Sequence, residues 1–224
     1  MVDTMAAVRA LVCSLLAALS LGAAAEPFAV RVGEARLVLD APAGFADTLD
    51  LGSPRLQELA QGLTSASNRI LLFALTDADR RRFMAGDTPE LRRYLLVATP
   101  RAQERDSIGL RQFRALAAES ARGMGNPEAP AELRAFLEAQ PVGRPRLVAE
   151  LRRTPLMVSL LAGTRLEARD GRPHYLLTTT SLLLLRGKQL IATAYAGYGE
   201  DVGDAWLRDL TRRWIDELQR LNAP

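Results

Sequence analysis

The sequence predicts an α+β fold in which an antiparallel β-sheet is covered by helices. Three apolar or alternating runs, at 156–166, 175–185 and 189–195, follow one another in the last third of the chain. Short turn signals join these runs, so they predict a three-stranded antiparallel meander. A last helix is expected from about Asp201, because apolar and charged side chains beyond it separate onto opposite sides at helical spacing.

The first 25 residues have the pattern of a signal peptide. Arg9 precedes a short apolar run over 10–21, and small side chains at Ala23 and Ala25 suit cleavage before Glu26. The run is shorter than a comfortable bilayer span. We therefore expect a periplasmic or secreted protein in which 26–224 form a single α+β domain, without membrane attachment once the signal is removed.

Composition narrows the chemistry that the chain can perform. Hydrophobic residues make up 48% and charged residues 25%, as in a typical globular protein. A formal net charge of +3 on 224 residues predicts no general affinity for nucleic acid. The single cysteine, Cys13, lies in the predicted signal, and His174 is the single histidine. We therefore expect neither a metal site nor a cofactor.

The first half of the domain is predicted to contain strands, two helices and one long loop. Alternating apolar positions predict a hairpin around Gly33-Glu34, and continuous apolar runs predict two central strands. The charged segment 77–93 is predicted to be a loop with at most one helical turn. The predicted elements are strands at 28–32, 35–39, 70–75 and 94–98, a short helix from Ser53-Pro54, and a helix from Ser107 to about Gly123.

The segment 123–145 is rich in proline and glycine and is predicted to be an insertion or a mobile lid. A short helical stretch at 131–139 lies between its helix breakers. One further helical turn is predicted at 147–151. The segment therefore interrupts an otherwise regular order of strands and helices.

Three motifs give the chain a resemblance to a known fold family. They are Pro42-Ala43-Gly44-Phe45 after the first hairpin, the run 181–188 leading into 192–195, and the tryptophan-containing last helix. In this order the sequence resembles the PsbP-like α/β/α sandwich family over most of 28–222. The resemblance implies a binding or assembly role exerted through contact with protein partners.

Four residues are predicted as binding candidates: Tyr195, Tyr198, Arg186 and His174. The two tyrosines lie at the end of the last predicted strand, beside Gly197 and Gly199, where their rings could contact a partner or a small ligand. Core packing is the competing explanation for the late aromatic residues. His174 follows a turn at the mouth of a strand, and the competing explanation is a structural turn-end residue that is partly in solvent.

A smaller set of residues could support hydrolysis. His174 could act as a base for a nearby hydroxyl, and Thr178-Thr179-Thr180 offers a row of hydroxyls. Glu200-Asp201 could act as an acid and base pair. The structural alternatives are strand propensity for the threonines and helix-dipole stabilisation for the acids.

These observations favour an exported, non-enzymatic module that binds a protein or an envelope component. The alternative is a periplasmic hydrolase that uses carboxylates or His174. A third possibility is peripheral attachment to a membrane through an exposed apolar face.

Overall fold

A computed structural model of the protein describes residues 26–168, 170–199 and 203–223. These residues contain nine strands: β1 (Phe28–Val32), β2 (Ala35–Leu39), β3 (Phe45–Asp47), β4 (Asn68–Thr76), β5 (Arg93–Pro100), β6 (Arg146–Thr154), β7 (Met157–Glu167), β8 (Pro173–Leu185) and β9 (Lys188–Tyr198). Five α-helices accompany them: α1 (Pro54–Gly62), α2 (Asp77–Met84), α3 (Leu110–Gly123), α4 (Leu133–Glu138) and α5 (Asp204–Leu221). Short 3-10 turns follow β3 and β5.

Seven of the strands form one antiparallel sheet in the order β3-β4-β5-β9-β8-β7-β6. The predicted meander is present as β7, β8 and β9, and the α+β class is confirmed. The turn between β8 and β9 uses left-handed backbone at Arg186 (φ 47°) and Gly187 (φ 74°), which matches the right-handed twist of a tight hairpin.

The first hairpin stands apart from this sheet. β1 and β2 pair only with each other, and the C-terminal end of α5 fixes them in place. The Asn222 amide donates to the Val38 carbonyl (2.7 Å) and accepts the Val38 N–H (2.9 Å). The Trp214 indole N–H donates to the Asp40 carbonyl (2.8 Å). The hairpin is thus tied to the far end of the chain.

Helices cover both faces of the sheet. On the α5 face, α5, the β1–β2 hairpin and α4 bury the main core, in which Trp214 is 2% exposed. On the opposite face, which we call the α3 face, α1 packs over β4 and β5 and α3 packs over β7 and β8. Between these two groups Thr178, Thr180 and Tyr195 remain half-buried. The α3 face therefore keeps a partly covered strip along β8 and β9.

Two local predictions were wrong. The segment 77–93 was expected to be a loop, but α2 occupies its first half, because the Thr76 hydroxyl caps the helix by accepting the Asp79 N–H (3.2 Å). The helical turn expected at 147–151 is part of β6, because pairing with β7 outweighs local helical spacing. Register shifts along this pair disturb the alternation that would have indicated a strand.

The segment 123–145 contains α4, close to the helix predicted at 131–139. Leu137 of α4 is fully buried, and Gly163 of β7 leaves room for it: a Cβ at Gly163 would lie 2.4 Å from a Leu137 methyl carbon. The N–H groups of Glu128 and Ala129 donate to carbonyls of β6. These contacts attach the segment to the sheet at several points.

No helix in the described residues is long and apolar enough to cross a bilayer. The predicted signal peptide, 1–25, lies outside the residues that the structure describes.

Candidate functional site

A broad concave surface lies at one end of the sheet, where β5 and β8 begin and β9 ends. There Tyr175 of β8 pairs with Tyr198 of β9, and Tyr94 of β5 pairs with Tyr195 of β9. A cleft of ≈ 780 Å³ is lined by Tyr94, Tyr175 and Tyr198. We call this hollow the tyrosine cleft.

Arginine side chains surround the tyrosines. Arg92, Arg93 and Arg134 line the cleft. The Arg134 guanidinium carbon lies 5.9 Å from the centre of the Tyr175 ring, and that of Arg93 lies 5.2 Å from the Trp206 ring. Cation–π contacts of this kind orient a guanidinium while leaving N–H donors for other partners.

The loop that enters the cleft is fixed by a buried carboxylate. Asp79 of α2 is 5% exposed and accepts the N–H groups of Glu90 (2.7 Å) and Leu91 (3.2 Å). Leu91 has left-handed backbone, with φ of 55°, which is uncommon for a bulky residue and marks a tightly determined turn. The lip of the cleft is therefore held in one conformation.

Glu90 is the one carboxylate among the described residues that line the cleft. It forms ion pairs with Arg82 (2.9 Å) and Arg92 (3.1 Å). Because both pairs are largely exposed, their contribution to stability is small. The Arg92 pair holds one of the cleft's guanidinium groups beside Glu90.

The tyrosine pair on the α3 face is packed as a stack. The rings of Tyr94 and Tyr195 are 4.3 Å apart and inclined by 15°, and Phe73 meets Tyr94 edge-on at 6.3 Å. Burial raises the pKa of both tyrosines above the ordinary value, and for Tyr94 the neighbouring Tyr195 adds to the shift. The stack forms a rigid, neutral wall next to the cleft.

The structure brings three of the four predicted binding residues to this region. Tyr198 and His174 line the cleft, and Tyr195 stacks on the cleft residue Tyr94. Arg186 directly follows the other end of β8, about 36 Å from Tyr175 at ~3.3 Å per residue. Its guanidinium donates to the carbonyls of Arg36 (3.2 Å) and Asn222 (3.5 Å).

The remaining predicted groups are dispersed. Thr178 and Thr180 are half-buried on the α3 face, whereas Thr179 points to the α5 face and bonds to Thr211. The pair Glu200-Asp201 lies outside the described residues. His174 is exposed.

Sequence reasoning missed several residues of the cleft. Tyr94 and Tyr175 were read only as strand residues, and Arg93 and Arg134 were not singled out. The register between strands could not be read from one sequence, and it is the register that places Tyr94 beside Tyr195. The Thr76-to-Asp79 spacing was a readable helix-start signal that would have located Asp79.

The geometry suits recognition by contact. Within the part of the chain that the structure describes, no group of three or more histidine, cysteine, aspartate or glutamate side chains is arranged to hold a metal ion. The cleft instead contains tyrosine and arginine side chains, which are enriched at binding hot spots.

The described residues form an α+β protein with a ligand-sized, tyrosine-lined cleft at one end of its sheet. Comparison with known proteins gave no matching family model, no matching curated protein and no matching solved structure.

Proposed function

We propose that the chain, after removal of a signal peptide, is an exported non-enzymatic module that binds a protein or an envelope component through the tyrosine cleft. The observation that carries the proposal is the convergence of Tyr94, Tyr175 and Tyr198 with arginine side chains in one cleft of ≈ 780 Å³. That volume lies within the range of ligand-binding clefts.

The chemistry of the cleft supports contact with a partner that has both apolar and polar groups. Tyrosine supplies a large flat surface at low conformational-entropy cost, with a hydroxyl at its tip. Arginine supplies planar donors for carboxylate, phosphate or carbonyl oxygens. The half-buried strip with Thr178, Thr180 and Tyr195 lies on the same strands and extends the available surface.

We also propose that the fold belongs with the PsbP-like α/β/α sandwiches. Two features support this relation: helices lie against both faces of one antiparallel sheet, and the tryptophan-containing helix packs on its centre. A binding or assembly role is what that relation implies for the chain.

The hydrolase alternative has weaker support from the described residues. Glu90 is ion-paired with two arginines, and His174 is exposed rather than held beside a carboxylate in a closed pocket. An acid or base that works near neutral pH is usually tuned by burial and by an oriented partner.

The test is photocrosslinking in intact cells of the source organism. A benzoylphenylalanine residue replaces Arg92, whose side chain is 80% exposed at the cleft. The matched control carries the same group at Arg220, 68% exposed near the C-terminal end of α5. We expect a discrete adduct from the first position and none of that size from the second.

A double variant tests whether the adduct forms at the cleft. His174→Ala with Tyr198→Ala is expected to reduce the adduct at least about tenfold, as loss of hot-spot contacts does. Equal adducts at both crosslinking positions would contradict the proposal. Turnover of an envelope substrate that is abolished by His174→Ala would favour the hydrolase.

A further inference from the structure

A second hollow lies on the α5 face, between α5 and strands β6 and β7, away from the tyrosine cleft. Its volume is ≈ 200 Å³. Leu151, Met157 and Ile215 supply apolar walls, and Ser159 and Thr211 supply hydroxyl groups. Both hydroxyl-bearing residues are buried, with 2% and 3% of their surface exposed.

The two hydroxyls belong to buried hydrogen-bonded pairs. Ser159 Oγ lies 2.6 Å from Ser181 Oγ, and Thr211 Oγ1 lies 2.7 Å from Thr179 Oγ1. A pair of hydroxyls has two protons, and the bond between the oxygens uses one of them. When the partner donates, the hydroxyl that lines the hollow keeps its own proton. Ser159 and Thr211 then each have one O–H that the internal hydrogen bond does not use, and both residues line the hollow.

Three arginines line the hollow, Arg152, Arg208 and Arg212, and so does the carboxylate residue Asp209. Each arginine forms one ion pair with an aspartate, and the pairs are Arg152–Asp216, Arg208–Asp204 and Arg212–Asp209, so that the Asp209 charge is balanced by Arg212. A guanidinium has five N–H donors, and the Arg208 pair uses only Nε. Further donors are thus available at the mouth of the hollow for a second anionic oxygen.

We infer that this hollow binds a small carboxylate that has a short apolar body. The carboxylate oxygens accept from the buried hydroxyls and from a rim guanidinium, and the apolar body contacts Leu151, Met157 and Ile215. A hydrogen bond to an ionised acceptor is stronger than one to a neutral acceptor, so the charged ligand is favoured over its amide. The small volume excludes long-chain lipids.

The test is isothermal titration calorimetry of the purified protein with hexanoate and with its uncharged counterpart hexanamide. We expect hexanoate to bind at least about tenfold more tightly than hexanamide, given the strength of charge-assisted hydrogen bonds. Absence of saturable hexanoate binding, or equal affinity for the two compounds, would overturn the inference.

The variant Thr179→Val with Thr211→Val removes both hydroxyls of one pair and keeps the side-chain shapes. Because no buried donor is left without a partner, the fold is expected to tolerate this change. Hexanoate affinity is expected to fall about tenfold in this variant and also in Arg208→Met. Arg220→Met, which removes one charge from α5 away from the hollow, is expected to leave affinity unchanged. Hexanoate binding that survives the double valine variant would show that only surface charge attracts it, and would refute the site.

Discussion

The two ends of the β8–β9 hairpin differ sharply in what their side chains contact. At one end, which we call the open end, Tyr175 and Tyr198 face the tyrosine cleft. At the other, the locked end, Arg186, Gly187 and Lys188 are bound to main-chain groups of other segments. At one end of this strand pair the side chains line a cleft, whereas at the other end the residues form hydrogen bonds that stabilise the fold.

Lys188 is the centre of the locked end. It is the only lysine in the sequence and is 5% exposed. Its ammonium group donates to the carbonyls of Glu104 (3.0 Å) and Asp106 (2.6 Å). The Ile108 N–H donates to the Gly187 carbonyl (2.8 Å) nearby. The charged residue in this tight hairpin therefore stabilises the fold, whereas the candidate binding site lies at the opposite end of the strands.

The largest expected effect is at Lys188. Lys188→Met removes two charge-assisted hydrogen bonds and leaves two carbonyls without this donor, so we expect the free energy of unfolding to fall by about 3 kcal/mol. Urea denaturation measures the change. Arg172→Met is the control, because the Arg172 side chain is 85% exposed and its loss should cost less than about 0.5 kcal/mol. If the two variants lost the same stability, Lys188 would not stabilise the locked end more than an exposed arginine does.

Gly33→Ala tests how closely the turn between β1 and β2 approaches Glu104 and Lys188. Gly33 has φ of +56°, and an added Cβ would lie 2.3 Å from the Glu104 carbonyl oxygen and 2.9 Å from Lys188 Nζ. We expect a loss of about 2–3 kcal/mol by denaturation, from backbone strain and the clash together. Gly44→Ala separates the two causes, because Gly44 also has positive φ (+87°) but nothing within 4 Å. It should lose only about 1 kcal/mol.

The tyrosine stack beside the open end predicts an alkaline loss of stability. The folded protein keeps the Tyr94 proton to higher pH than the unfolded chain does, because burial raises its pKa. Above about pH 10 the unfolded state therefore binds fewer protons, and stability falls as pH rises, by at most about 1.4 kcal/mol per pH unit. Denaturation between pH 8 and 11 should show a shallower decline for Tyr94→Phe. If the stability of Tyr94→Phe fell as steeply with pH as that of the unmodified protein, Tyr94 would not be the group responsible.

The smallest stability effects distinguish Arg186 from His174. Arg186→Met removes hydrogen bonds to Arg36 and Asn222, at 3.2 and 3.5 Å, and should cost about 1 kcal/mol. His174→Ala should cost less than about 0.5 kcal/mol, because His174 is exposed. Thermal unfolding of both variants measures the difference. A larger loss for His174→Ala than for Arg186→Met would reverse the roles given to the two ends.

Local patterns were sufficient to predict the meander and the last helix. Strands β7, β8 and β9 have long apolar or alternating runs bounded by turn signals, and α5 separates its apolar and charged residues. The short strand β3 and the bulged strand β6 were not predicted, because each owes its conformation to a neighbouring strand. Helix α2 was missed because its charged residues gave no apolar periodicity.

The site was only partly predictable for the same reason. Tyr198 and His174 were predicted from their position at strand ends, and both line the cleft. Arg186 was also predicted as a binding candidate, and it lies in the run 181–188 on which the family resemblance rests. The predicted strand 175–185 already separates His174 from Arg186, and the pairing of β8 with β9 shows that Tyr198 lies at the His174 end. Arg134 comes from a segment that no local pattern connects with Tyr175.

The open end of the β8–β9 hairpin is proposed to bind a partner, and the locked end to support the fold. The most direct measurement is the yield of adduct from the crosslinking group at Arg92, compared between Tyr198→Ala and Arg186→Met at equal protein levels. We predict that Tyr198→Ala reduces the yield at least about tenfold and that Arg186→Met leaves it within about twofold. Retention of the adduct in Tyr198→Ala together with its loss in Arg186→Met would contradict the account.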